Sequence, residues 1–462
     1  MTKFEMRKII LSILIMVSAM AGAQTTCNMG WTTTWGTSPE FTGQGDMPKS
    51  TLAGKTIREV IRPSIGGDTI RLRLSNFHST EPVEIKQIYI AWSVDTVVKD
   101  AKTGRIITDN GSTPYIYKDH AAFLTFAGQR HVTIAAGANV TSDAIPFRVR
   151  PMRNLAITIT YGGIVPEHAT SHRGSRTTTY IAAEEAGPAD SLVVVEKTDH
   201  WYNILSLDVR SCRQAVAVLG NSITDGRGTT TNAQNRWTDM MATALAGKQG
   251  DCCGNHNVCE SRPRHCANET AKCTSDQPAE CGKDPKNSGI GPTDGVIEPE
   301  YGVINLGIGG NCVLEGGISD PLLKRYRDEM AFHSGIKKLI IFEGTNDIGT
   351  SKLSPDSLAE RLAEAYRQIT DYARAKGIEV YVATITPTKG NAWFSKDHEK
   401  ARQRINSWIR KTYRDTLIDF DKLVRDPKDP EKLRDEYSED WLHLNAEGYT
   451  VMGEYVAGII RR

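Results

Sequence analysis

VAVLGNSITDGRG, Val216–Gly228, is the stretch on which the reading of this chain turns. An apolar run ends at Gly220, and Asn221, Ser222, Thr224 and Asp225 follow almost at once. A short apolar run closed by glycine fits a fully buried strand. A small polar residue at the start of the next segment fits a helix N-cap. Ser222 thus stands at a strand-to-helix turn, as a cap or as a hydroxyl presented for chemistry.

Downstream the same grammar repeats. QAVAVLG, YGVINLG, KKLIIFEG, IEVYVATITP and TLIDF are buried-strand candidates. Between or after them lie the helical stretches NRWTDMMATALAG, SPDSLAERLAEAYRQITDYARAKG, HEKARQRINSWIRKTY and NAEGYTVMGEYVAGII. Ser354 is positioned to cap the longest helix and Gly377 to stop it. Apolar strands alternating with helices predict a parallel sheet covered on both faces. Right-handed crossovers place the carboxyl ends of all its strands on one edge, where ligands bind in open α/β sheets. Ser222, the Gly309-Gly310-Asn311 turn and Gly344–Asp347 all follow strands and share that edge.

Upstream the pattern is different. Residues from about 25 to 210 carry short runs rich in Val, Ile, Thr and Tyr, separated by turn residues. Ile57–Ile61 and Thr69–Leu74, joined by a turn at Gly66-Gly67, are the clearest, followed by VEIKQIYIAW, HVTIAAG, NLAITITYGG and YNILSLDV. This predicts an all-β sandwich or jelly-roll-like domain. The expected division is 24–210 for the β-domain and 211–462 for the α/β domain.

At the N-terminus, Lys3, Arg7 and Lys8 precede an apolar stretch from Ile9 to about Ala19 and then Ala21-Gly22-Ala23. That reads as a secretory signal over residues 1–23, cut before Gln24. The stretch is short for a bilayer span, and no later segment reaches that length, so the mature chain is expected to be exported with no membrane span. The net charge of +1, from 56 Lys+Arg and 55 Asp+Glu, gives no basic bias toward nucleic acid. Six of the nine cysteines crowd between Cys252 and Cys281, in a polar insertion at about 249–295. In an exported protein disulfides are the default reading. His256 and His265 bring zinc to mind, but the spacings lack a paired C-x-x-C pattern, and no metal or other cofactor is expected. Cys312 reads as a small buried side chain, and Trp31 and Trp35 as core or interface aromatics before sugar-stacking ones.

A serine nucleophile needs a base, and the base needs an orienting carboxylate. SEDWLHLNAEGY supplies Asp440 and His443 three residues apart, just before the last helix. Asp-x-x-His could equally decorate a helix start. Donors for a developing oxyanion are at hand in the Ser222 N–H, the Gly309-Gly310 turn and the Asn346 amide. LGIGGN lacks the G-x-G-x-x-G spacing of a dinucleotide loop.

GNSITDG, NLGIGGN, GTND and DWLH occur in the order of the sequence blocks of GDSL-type SGNH hydrolases, and residues 213–462 resemble that family. The resemblance implies a flavodoxin-like sheet of order 2-1-3-4-5. It also implies Ser222 as nucleophile, Gly310 and Asn346 as oxyanion donors, His443 as general base and Asp440 as its orienter. Asn221 departs from the family pattern, which has Asp there. WTTTWGTSPEF, TIREVIRPSIGGDTIRLRLSNF and HRGSRTTTYIA resemble the front half of a secreted bacterial subgroup that includes esterases of xylan-degrading systems. The expected substrates are acetyl esters on plant-type polysaccharides. A lipase, lysophospholipase or thioesterase is the rival within enzymes, and a carbohydrate-binding protein with an inactive hydrolase domain is the rival outside them.

Overall fold

The computed structural model describes residues 29–99, 101, 103–183, 187–246 and 299–462. The leader and the cysteine-rich insertion lie outside them, and with them the disulfide and zinc questions of that insertion.

The C-terminal half is built on one parallel sheet. Its strands are β1 (Gln214–Gly220), β2 (Tyr301–Gly307), β3 (Ile336–Phe342), β4 (Glu379–Ala383) and β5 (Leu417–Ile418), in the order 2-1-3-4-5. The helices are α1 (Ser222–Asp225), α2 (Trp237–Ala246), α3 (Leu322–Phe332), α4 (Thr345–Thr350), α5 (Pro355–Ala375), α6 (Lys396–Thr412), α7 (Phe420–Val424) and α8 (Ala446–Ile460).

Period-2 alternation divides the sheet's side chains between two apolar clusters. Ala217, Leu219, Leu306 and Ile341 pack on one face with Leu322, Tyr326, Leu362 and Ile405. Val216, Val218, Ile340 and Phe342 pack on the other with Trp237, Met241, Tyr449 and Val456. Each fully buried Leu, Ile or Val there contributes about 2 kcal/mol from burial. Burial on both faces explains why these strands read as continuous apolar runs. No helix among the described residues is long and apolar enough to cross a membrane.

The front half is all antiparallel β. One sheet runs Gly30–Gly36, Ile204–Ser211, Gly67–Ser75, Asn139–Thr141, with Ile145–Val149 also on its third strand. The second runs Val194–Thr198, Thr179–Ala183, Lys55–Ile61, Leu155–Tyr161, Val83–Trp92, Ala122–Leu124, with Val132–Ile134 also pairing Val83–Trp92. Their inward residues, among them Ile57, Ile70, Leu72, Ile88, Ile157 and Leu207, form one core. The runs joined at Gly66-Gly67 are therefore not partners in one sheet: Lys55–Ile61 and Gly67–Ser75 lie in different sheets on either side of that core. Trp35 is buried in it, edge-on to Trp201, while Trp31 lies beneath the guanidinium groups of Arg71 and Arg210.

The two halves meet through satisfied polar contacts. Asp208 accepts from Thr33 Oγ1 at 2.6 Å and from Ser334 Oγ at 2.8 Å, and pairs with Arg71 at 2.8 Å. Ser64 Oγ accepts from Val303 N at 2.8 Å. Buried polar groups cost little only when so partnered.

Candidate active site

Ser222 opens α1 immediately beyond the end of β1. The Asn221 side chain accepts the Ile223 N–H at 3.0 Å and so caps this four-residue turn. Asn221 thus performs short polar capping in the position where the family pattern has Asp. The chain then reverses at Gly226, and the Gly226 and Arg227 N–H groups both donate to Ser222 O.

Asp440 and His443 lie in the loop before α8. Ser222 Oγ and His443 Nε2 are 2.8 Å apart, and His443 Nδ1 and Asp440 Oδ2 are 2.7 Å apart. Asp440 Oδ1 also accepts the N–H groups of Leu442 and His443, at 3.0 and 2.8 Å. Ser438 Oγ donates to His443 O at 2.7 Å and accepts the Trp441 N–H at 3.0 Å. Asp-x-x-His is therefore one hydrogen-bonded turn with its imidazole on the serine.

The electrostatics suit a neutral imidazole. Burial lowers His443 below the usual histidine value; Asp440 opposes this, and the charges of Arg227 and Arg176 add to the lowering. Burial pushes the Asp440 carboxyl up, but hydrogen bonds and charge from His443 outweigh it and hold it below the usual range.

Two more loops converge on the same edge. Gly310 has φ +71, and a Cβ there would lie 2.6 Å from Ile318 Cδ1, so a side chain would be both strained and crowded. Asn346 is buried in α4, and its Nδ2 donates to Asn311 O at 2.6 Å. The Asp347 carboxylate accepts the Val313 and Leu314 N–H groups at 2.8 and 2.9 Å, tying α4 to the loop after β2. Arg325 from α3 reaches Asn311 Oδ1 at 3.0 Å and Gly220 O at 3.3 Å, which joins that loop to the end of β1. Cys312 is buried and free, its thiol pushed up to about 12 mainly by burial, so it is no thiolate nucleophile at neutral pH.

Sequence reasoning passed over the groups behind the serine. Asp225 is buried, and its carboxylate meets His172 Nε2 at 2.9 Å and Arg176 Nη2 at 2.6 Å, both from the β-rich half. Glu40 holds Arg173 at 2.6 Å and accepts Ser319 Oγ at 2.6 Å. HRGSRTTTYIA carried the signal, a run of polar and cationic residues interrupting strand-like sequence, but nothing local named its partners. Among the described residues no His/Cys/Asp/Glu group could hold a metal ion.

Residues 295–451 match the model of the GDSL-like lipase/acylhydrolase family, which takes in Gly310, Asn346, Asp440 and His443 and begins after Ser222. No curated protein matches the chain. Three solved structures overlap 54% of it: a carbohydrate acetylesterase from Sinorhizobium meliloti (15% identity, 99% of that chain, TM-score 0.35), an aryl esterase from M. smegmatis in inhibitor-bound form (15%, 98%, 0.36) and a GDSL-like lipase from Bacteroides thetaiotaomicron (17%, 88%, 0.33).

Proposed function

We propose that this chain, whose residues 295–451 match the GDSL-like lipase/acylhydrolase model, is a carboxylic ester hydrolase, an exported serine esterase removing acetyl groups from plant-type polysaccharides. The observation that carries the mechanism is the Ser222–His443–Asp440 relay, with its contacts of 2.8 and 2.7 Å. Ser222 Oγ attacks the ester carbonyl while His443 Nε2 takes its proton, and Asp440 orients and stabilises the resulting imidazolium. The Ser222 and Gly310 N–H groups and the Asn346 amide receive the tetrahedral oxyanion. Collapse expels the sugar alkoxide, which leaves with the proton from His443, and the acetyl group remains on Ser222 as its ester. His443 then draws a proton from water, which attacks the acyl-enzyme and frees acetate and the serine.

The leader over residues 1–23 supports export, and the resemblance of the front half supports a polysaccharide ester. Ile318 favours a second reading: it is 68% exposed and packs against Gly310, beside the proposed oxyanion site, as a wall for a longer acyl chain would. Acetate release from acetylated xylan, measured against hydrolysis of an octanoyl p-nitrophenyl ester with Ser222→Ala as the blank, separates the two. Fast deacetylation with little octanoyl cleavage is expected. The reverse would place the protein among acyl-chain lipases, and full activity in Ser222→Ala would remove the mechanism.

A further inference from the structure

Asp225 closes the turn that Ser222 opens, three residues along the same helical turn. Its carboxylate is buried and held from the far side by two cationic-capable groups of the β-rich half, His172 at 2.9 Å and Arg176 at 2.6 Å. Burial alone would raise this carboxyl; Arg176 and His172 outweigh it and keep it ionised. His172 is itself fixed, its Nδ1 lying 3.0 Å from Ser38 O.

Arg176 adopts φ +54, a left-handed conformation that is unusual for a residue with a side chain. Its backbone carbonyl accepts the Asn232 N–H at 2.9 Å, so the strained residue is clamped by the loop that follows the nucleophile turn. Strain kept at one residue, against a buried carboxylate beside a nucleophile, is characteristic of functional constraint. Among the described residues Nη2 is engaged by Asp225 and Nε has no partner, so the guanidinium is aimed by that ion pair.

We infer that Arg176, supplied by the β-rich half, is a positioning residue of the esterase site: through Asp225 it fixes the Ser222 turn. The inference rests on the serine-esterase reading above. The two halves then form one catalytic unit, because the nucleophile turn of one half is completed by a side chain of the other.

A merely structural ion pair would cost stability and leave the kcat of the folded protein unchanged.

The test uses the full chain and p-nitrophenyl acetate, a substrate too small to need a polysaccharide platform. Arg176→Gln is expected to lower kcat by about 10–100-fold, as a displaced reacting group does. KM should stay within about twofold of wild type. Arg176→Lys keeps the charge but places it on a more flexible stem. It should still lower kcat. An Arg176→Gln protein with wild-type kcat would overturn the inference while leaving the esterase reading intact. If that variant does not fold, Arg176→Lys decides alone, and wild-type kcat there would overturn it. Absence of Ser222-dependent hydrolysis in the wild type would remove the esterase reading and the inference together.

Discussion

Gly228→Ala perturbs the site without touching a reacting atom. Gly228 has φ +93, and a Cβ built on it lies 2.3 Å from Leu444 O, with His443 Cβ at 3.8 Å. The left-handed conformation costs an alanine about 1–2 kcal/mol. The contact costs more, because the atom that is hit belongs to backbone and cannot rotate away. To restore an ordinary contact the Leu444 carbonyl must retreat by about 1 Å, and His443 is the preceding residue. The 2.8 Å approach of His443 Nε2 to Ser222 Oγ then opens. A misplacement of about 1 Å at a reacting group costs roughly 10²-fold in rate. The assay is kcat on p-nitrophenyl acetate together with a thermal melt. Gly54→Ala is the control, since Gly54 has φ +63 with nothing within 4 Å of its built Cβ. It should lose only the conformational part, about 1–2 kcal/mol, and keep its kcat. If Gly228→Ala retained the kcat of Gly54→Ala, the Leu444–His443 backbone would not be what places the imidazole.

Asn346→Ala should lower kcat by about 10²–10³-fold, the usual cost of one oxyanion donor, in single-turnover kinetics with a soluble acetyl ester; a change in KM alone would assign Asn346 to binding. The lowered His443 titration means that the imidazole stays neutral further into acid, so the acid limb of kcat/KM should lie below the ordinary histidine value of 6.5. A limb above that value would contradict the electrostatics. His333 is buried, mainly by which its imidazole is lowered to about 4. Between pH 6.5 and about 4 the unfolded chain therefore binds a proton that the folded chain refuses, and stability falls as pH falls, by about 3 kcal/mol in all. Urea midpoints at pH 7 and 4.5 should drop less in His333→Gln than in wild type; parallel drops would exonerate His333.

Much of the site could be read from local sequence because each part is short-range chemistry at a strand end. A buried parallel strand needs apolar residues throughout, and the polar turn that ends it stands out for that reason. Val216–Gly228 shows both, and β1 and α1 occupy that stretch. The Asp440–His443 contact spans three residues, within reach of a single turn, so its chemistry was available to a reader of that turn alone.

The Ser222–His443 contact spans 221 positions; the strand grammar places Ser222 at the sheet edge, and only the family resemblance pairs it with His443. Sheet membership was not legible in the same way. The turn at Gly66-Gly67 could be read, but not that it carries the chain from one sheet to the other, since alternation marks an inward face but not which sheet supplies it.

By itself the sequence determined that a parallel α/β half would present Ser222, the Gly309-Gly310-Asn311 turn and Gly344–Asp347 at one edge, and the family resemblance added the Asp440–His443 turn. Hydrophobic period and turn chemistry are properties of neighbours along the chain, and those suffice for the edge. Only the tertiary structure decided that Arg176 and His172, from a different half, would close on Asp225 behind the nucleophile. That contact depends on how two finished surfaces dock, and the energy of docking is a sum over residues that no local stretch contains.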